Sequence, residues 1–174
     1  MKSETRFLKH NGIYYTNNKL ANIMIDNLEI NFDEKFTLLE LAVGEGHILC
    51  LIVKRFLCHN WNYDSKKIKD FLENNIYAFD LRDDAIKICI DKLNQILWEY
   101  FPDLKVRWNI FQMDILEKEK LLRKKHKFDF IISNPPYVSR RNLSTETAEY
   151  LKANSCFCQK YNFDLYYYFF EVAL

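Results

Sequence analysis

Four short apolar runs, each broken off by a glycine, an acid or a proline, constrain the fold of this chain more than any other feature. They are KFTLLELAV (35–43), NIYAFD (75–80), KVRWNIFQ (105–112) and FDFIIS (128–133). Each has the length and apolar content of a strand, and the third alternates Val106, Trp108 and Ile110 as a half-buried strand does. Helical spacing fills the gaps. HILCLIVKRFL (47–57) follows the first run, and Ile86, Ile90, Leu93 and Leu97 follow the second, with Asp83 or Asp84 as its cap. ILEKEKLLRKKHK (115–127) reads as a charged helix with a solvated face. Repeated strand–helix units predict an α/β, Rossmann-like, doubly wound and mainly parallel sheet, with ligands at the carboxyl ends of the strands near the reversal of strand order.

Composition sets the outer limits. At 174 residues one domain spanning 1–174 is expected. With 49% apolar and 28% charged residues and no uninterrupted apolar stretch near the roughly 20 residues of a membrane span, no membrane helix is expected. The opening MKSETRFLKHNG has no apolar segment behind its charges, so a cytoplasmic location is expected. The five cysteines are odd in number, and Cys156 and Cys158 stand one residue apart, which reads as reduced core thiols. The four histidines show no ligand spacing, so no metal is expected. A net charge of +1 does not by itself declare a nucleic-acid binder. The closing DLYYYFFEVAL (164–174) reads as a buried helix capped by Asp164.

The residues just after the strands carry the chemistry. Gly44 and Gly46 leave the first run and open a helix, where glycine permits a sharp turn and close ligand approach. Glu40, four residues earlier, would repel a pyrophosphate but can accept from an ammonium group. Asp80 ends the second run, where an acid can take both hydroxyls of a ribose. Asp114 follows the third run and can accept from the amino group of an adenine ring. After the fourth run stands SNPPYV. Proline lacks a backbone donor and pushes the preceding residue into extended geometry, so the Asn134–Pro135–Pro136 loop is stiff and stays out of a helix. The side-chain oxygen of Asn134 and the carbonyl of Pro135 can accept both hydrogens of an exocyclic amino group, while Tyr137 offers a face on which a flipped base stacks.

Taken together these motifs resemble the S-adenosylmethionine-dependent methyltransferases that act on adenine N6 in DNA within restriction-modification enzymes. ELAVGEG resembles their Asp-Pro-Ala-Cys-Gly-Ser-Gly loop, with Glu40, Ala42, Gly44 and Gly46 in register and Leu41 and Val43 in place of proline and cysteine. AFDLRDDAI is similar to the second motif, which implies Asp80 on the ribose and Leu81 against the adenine ring; QMDIL is similar to the third, with Asp114. GIYYTNNKLANIMI (12–25) resembles the Gly-x-Tyr-Tyr-Thr-Pro motif, which implies Tyr15 and Thr16 near the methionine carboxylate; Asn17 replaces the proline. Asn134 would face cofactor and substrate alike, and Asn134, Pro135, Pro136 and Tyr137 would form the catalytic loop.

Asn-Pro-Pro-Tyr also occurs in methyltransferases for release-factor glutamine and for RNA bases. Two features favour DNA adenine. About two dozen residues separate Thr16 from Glu40, where the glutamine enzymes carry a helical domain. Glu40 to Asp80 spans twice the roughly 20 positions of a minimal nucleotide-binding unit, and HNWNYDSKKIKDFLENN (59–75) looks like an added helix. The resemblance runs from Gly12 to Leu174 and stops before three further strands and a target-recognition domain. It implies the N-terminal part of a larger enzyme, inactive alone, that meets double-stranded DNA through the absent recognition domain. A partner chain completing the sheet is another way to close such an edge. The segment from Val138 to about Lys160 would be a mobile, substrate-facing loop, with Arg140 and Arg141 as candidate phosphate contacts. The alternative to an enzyme is a catalytically silent module that binds cofactor or a partner.

Overall fold

The computed structural model describes residues 16–116, 127–160 and 162–174. They divide into two compact units, one of residues 16–115 with 127–133, the other of Asn134–Leu174 with Leu116.

The first unit opens on helix α1 (Asn18–Asp26), whose Asn17 cap accepts from the backbone N–H of Leu20 at 2.9 Å. Strand β1 (Leu38–Glu40) leads into α2 (His47–His59), and α3 (Ser65–Asn75), capped by Asp64, leads into β2 (Ile76–Asp80). Then come α4 (Asp83–Tyr100), β3 (Asn109–Gln112) and β4 (Phe130–Ile132). The strands form one parallel sheet in the order β3-β2-β1-β4, flanked by helices. This is the Rossmann-like α/β architecture that the strand–helix alternation predicts. The order reverses between β1 and β4, so the crevice favoured for ligands opens beside Glu40, the last residue of β1.

The strands are shorter than the apolar runs. β1 keeps only three residues of the nine-residue run, because Leu41 and Val43 are buried within the turn that follows rather than in the ladder. The register of β4 on β1 is fixed outside the strands: Asp129 Oδ2 accepts from Thr37 N at 2.7 Å and Thr37 Oγ1 at 2.8 Å. The core is apolar, with Leu38, Ile52, Leu72, Leu93 and Leu97 fully buried. Burial of each contributes roughly 1.5–3 kcal/mol, and truncating Ile52 or Leu93 to alanine would cost roughly 2–5 kcal/mol.

The caps expected for two helices differ. Arg82, with extended backbone, is the N-cap of α4, while Asp83 and Asp84 occupy its first turn, where their charges complement the helix dipole. The Arg82 N–H is instead taken by the side chain of Asp80 at 2.9 Å. Of the charged helix expected over 115–127, Ile115 and Leu116 are helical, Lys127 is not, and residues 117–126 lie outside the described residues. Among the described residues no helix is long and apolar enough to cross a membrane.

In the second unit, the stretch expected to be a loop from Val138 to about Lys160 contains a 3-10 turn (Arg140–Asn142) and the ten-residue helix α5 (Thr145–Asn154). The Ser144 hydroxyl accepts from Thr147 N at 3.1 Å, and Ala148 and Leu151 form its buried stripe. α6 (Tyr166–Ala173) follows, with Leu165 rather than Asp164 at its N-cap, because Asp164 is held in an antiparallel bridge to Ser139. It buries Tyr168, Phe169 and Val172 but leaves Tyr167 and Phe170 exposed, so it is not buried all round. Glu171 anchors the turn after α5, accepting from the Ser155 hydroxyl and from the N–H groups of Cys156 and Phe157 at 3.0 and 3.1 Å.

Candidate functional site

The turn from β1 to α2 is built from two glycines with different tasks. Gly46 has φ +82 as the N-cap of α2, and a Cβ there would meet Cys89 Sγ at 2.6 Å. Gly44 has φ +52, yet a Cβ there would meet nothing within 4 Å. Both occupy the left-handed region that glycine enters freely; Gly46 is also crowded, whereas Gly44 faces open space. The turn is pinned to the neighbouring strand by Val43 N donating to Phe79 O at 3.0 Å and by Gly44 N donating to Asp80 Oδ2 at 2.7 Å. Ala42, just before these anchors, is half-buried.

Glu40 is 1% exposed, and its Oε2 has no hydrogen-bond partner among the described residues. Burial holds its carboxyl well above the usual carboxylate range; the nearby Cys50 and Asp80 add to this, and the Leu49 N–H opposes it. A buried carboxylate oxygen without a donor is costly, and it marks where a cationic group would be stabilised.

Asp80 holds two backbone N–H groups, those of Gly44 and Arg82, and each carboxylate oxygen retains a second lone pair for a ligand hydroxyl. Leu81 follows with its side chain 62% exposed. Asp114 stands half-buried two residues after β3. Thr16 is buried just ahead of the α1 cap, and Asn17 spends its side chain on that cap. Tyr15 lies outside the described residues. Glu40, Ala42, Gly44, Gly46 and Asp80 are therefore brought together at the carboxyl ends of β1 and β2.

In the second unit, Asn134, Pro135 and Pro136 run without regular structure, and Tyr137 is 50% exposed. The Tyr137 ring lies 5.6 Å from that of Tyr166, which is itself 4.6 Å from Tyr167 and 5.9 Å from Phe170. The spacings suit edge and offset aromatic packing, so the tyrosine after the prolines is braced by α6 while one side stays open.

Sequence reasoning passed over two features. Cys50 on α2 and Cys89 on α4 lie against Gly46, although the five thiols were expected to be core residues; Cys89 and Cys158 are buried, while Cys58 and Cys156 are exposed. Lys92 reaches the same turn, its Nζ 3.1 Å from Glu45 Oε2 and 3.2 Å from Glu45 O. The only signal for either was helical spacing on α4. Among the described residues no three His, Cys, Asp or Glu side chains are grouped to hold a metal ion.

Comparison with known proteins gives a consistent result. The model of a family described as Eco57I restriction-modification methylase matches residues 13–174. The Type II methyltransferase M.BstVI of Geobacillus stearothermophilus is 28% identical over 145 residues, covering 78% of this chain and 26% of that protein. A bifunctional methyltransferase of Rickettsia prowazekii is 30% identical over 136 residues, covering 76% of this chain and 21% of its own length. The chain thus spans about a quarter or less of these relatives. Among solved structures, a cryoEM structure of a DrdV–DNA complex superposes with a TM-score of 0.68 at 18% identity, over 94% of this chain and 19% of that one.

Proposed function

The chain belongs to the Eco57I restriction-modification methylase family, and on that premise we propose that it is the cofactor- and base-holding part of a cytoplasmic enzyme that methylates adenine N6 in double-stranded DNA. The observation that carries the reading is the buried, donor-less Oε2 of Glu40 at the carboxyl end of β1.

S-adenosylmethionine fits the residues present. Glu40 would hold its ammonium group, which would supply the donor that Oε2 lacks. Asp80, with its spare lone pairs, would accept from the ribose hydroxyls, Leu81 would lie against the adenine ring, and Asp114 would accept from the adenine amino group. Thr16, and by the resemblance of its motif Tyr15, would hold the cofactor's carboxylate, and the open space at Gly44 would let the backbone approach it. When bound, the cofactor supplies an electron-poor methyl group on a sulfonium.

The chain's own residues then orient the acceptor. Asn134 and the Pro135 carbonyl hold the two hydrogens of the exocyclic amino group, which leaves the nitrogen lone pair free to attack. Pro136 stiffens the loop and Tyr137 stacks on the extruded base. The nitrogen gives up a proton to solvent once it carries the methyl group and a positive charge, so no general base is asked of the protein. Catalysis rests on orientation and preorganised dipoles.

Calorimetric titration with S-adenosylmethionine tests the cofactor reading, and an absence of binding by folded chain removes it. Mass spectrometry of nucleosides from DNA treated with the full-length protein tests the substrate. N6-methyladenine supports the reading; methylated glutamine in a protein substrate or a methylated RNA base replaces it.

A further inference from the structure

Cys50 on α2 and Cys89 on α4 meet where the two helices pack, both thiols lying beneath Gly46. Both are free thiols, and they differ in setting: Cys50 is half-buried, Cys89 is fully buried. The pair also forms the floor of the glycine turn, since a Cβ at Gly46 would lie 2.6 Å from Cys89 Sγ and 3.2 Å from Cys50 Sγ.

The surroundings divide the labour. The neighbouring Cys89 thiol holds the Cys50 thiol below its ordinary range, and the Lys92 ammonium adds to this against the opposing effect of burial. Cys89 is pushed up by the neighbouring Cys50 and by burial. Cys50, the more exposed of the two, is the thiol that peroxide reaches first, with the fully buried Cys89 beside it to resolve it. That is the pairing of nucleophilic and resolving cysteines found where thiols are oxidised reversibly.

We propose that Cys50 and Cys89 are an oxidisable dithiol that closes to a disulfide under peroxide and thereby disables the glycine turn. The Cys50 thiolate attacks hydrogen peroxide, the O–O bond breaks, and Cys50 becomes a sulfenic acid as hydroxide leaves. The Cys89 sulfur attacks the Cys50 sulfur, an S–S bond forms, and the second hydroxide leaves with the Cys89 proton as water. Two thiols and one peroxide thus give one disulfide and two waters. Closing the bond draws the sulfurs to about 2.0 Å, which moves the surface on which Gly46 rests and shifts Glu40 and Gly44 with it. Disulfide formation stands on the thiols alone; its effect on cofactor affinity rests on the function proposed above.

Peroxide treatment of the chain, alkylation of remaining thiols and peptide mass spectrometry provide the test. A Cys50–Cys89 linked peptide, reversed by dithiothreitol, is the expected product. Peroxide that oxidises exposed Cys58 and Cys156 without producing this peptide overturns the proposal. Affinity for S-adenosylmethionine should fall about tenfold on oxidation, within the usual range of coupling between linked sites, and recover on reduction. Cys50→Ser and Cys89→Ser should each lose this peroxide response. An unchanged affinity in the linked protein overturns the gating. Reduced chain that binds no cofactor overturns the gating together with the cofactor reading, while the linked peptide still reports on the dithiol.

Discussion

The backbone N–H of Gly44 donates to the carboxylate of Asp80 at 2.7 Å, tying the turn that leaves β1 to the acid that ends β2. The other oxygen of the same carboxylate takes the N–H of Arg82. Asp80 thus holds the turn together, and its expected role on a ribose would be added to a structural one.

Asp80→Ala should therefore lower stability as well as cofactor affinity. Hydrogen bonds to a charged acceptor contribute roughly 1.5–3 kcal/mol each, and at this size 1 kcal/mol shifts the melting temperature by about 2–4 °C. A fall of several degrees in the free chain is expected by thermal denaturation, and Asp80→Asn, which keeps one acceptor, should fall less.

Glu40→Gln should stabilise the free chain near neutral pH and abolish the stabilisation that S-adenosylmethionine confers. The folded carboxyl lies above its ordinary value of 4.5, so the native state binds this proton more tightly than the unfolded chain. The stabilisation from that proton is complete below 4.5 and is lost as pH rises through the raised folded value. Glutamine removes the loss. A bound cation reverses the preference, so cofactor binding should release a proton and weaken in acid. Melting curves across pH, with and without cofactor, and calorimetry in buffers of different ionisation heat will read both effects.

Gly46→Ala and Gly44→Ala should separate. A left-handed alanine costs roughly 1–2 kcal/mol at either position, but only at Gly46 does the new carbon meet sulfur at 2.6 Å. Gly46→Ala should be the more destabilising, and Cys89→Ala should recover part of that loss in a double-mutant cycle. Gly44→Ala should fold and lose cofactor affinity.

Asn134→Ala, in the full-length enzyme, should leave cofactor affinity nearly unchanged and slow methyl transfer by about 100- to 1000-fold, by analogy with loss of one preorganised polar contact. Tyr137→Phe should be tolerated because its stacking face survives, whereas Tyr137→Ala should weaken base capture. Single-turnover methylation assays distinguish these outcomes.

The parts of the fold legible in the sequence were those written in local periodicity. β1, β2, β3 and β4 each lie inside an expected run, α2 and α4 follow the helical spacing, and α3 lies within the added helix expected over 59–75. Cap identity was less legible, because Asp83 and Asp164 are good caps in isolation, while Arg82 and Leu165 hold those places through the bonding of Asp80 and the bridge of Asp164. α5 was passed over although Ser144, Ala148 and Leu151 carry its signal, since the segment was read as loop. The juxtaposition of Glu40, Gly44, Gly46 and Asp80 followed from their positions at successive strand ends. The Cys50–Cys89 contact did not, because it depends on how two helices pack across 39 positions of sequence.

The Thr37–Asp129 lock spans 92 positions of sequence. As the chain emerges from a ribosome, β1, β2 and β3 with the helices between them are delivered long before β4. Joining β4 to β1 closes the longest loop in the sheet and carries its largest entropic cost, whereas the glycine turn and its Asp80 anchor lie wholly upstream of β4. The half of the machinery read here as holding cofactor is therefore built first. The segment that would present the acceptor base, which begins one residue after Ser133, is tethered only when the last strand docks. A nascent chain halted before Asp129 would carry the first without the second.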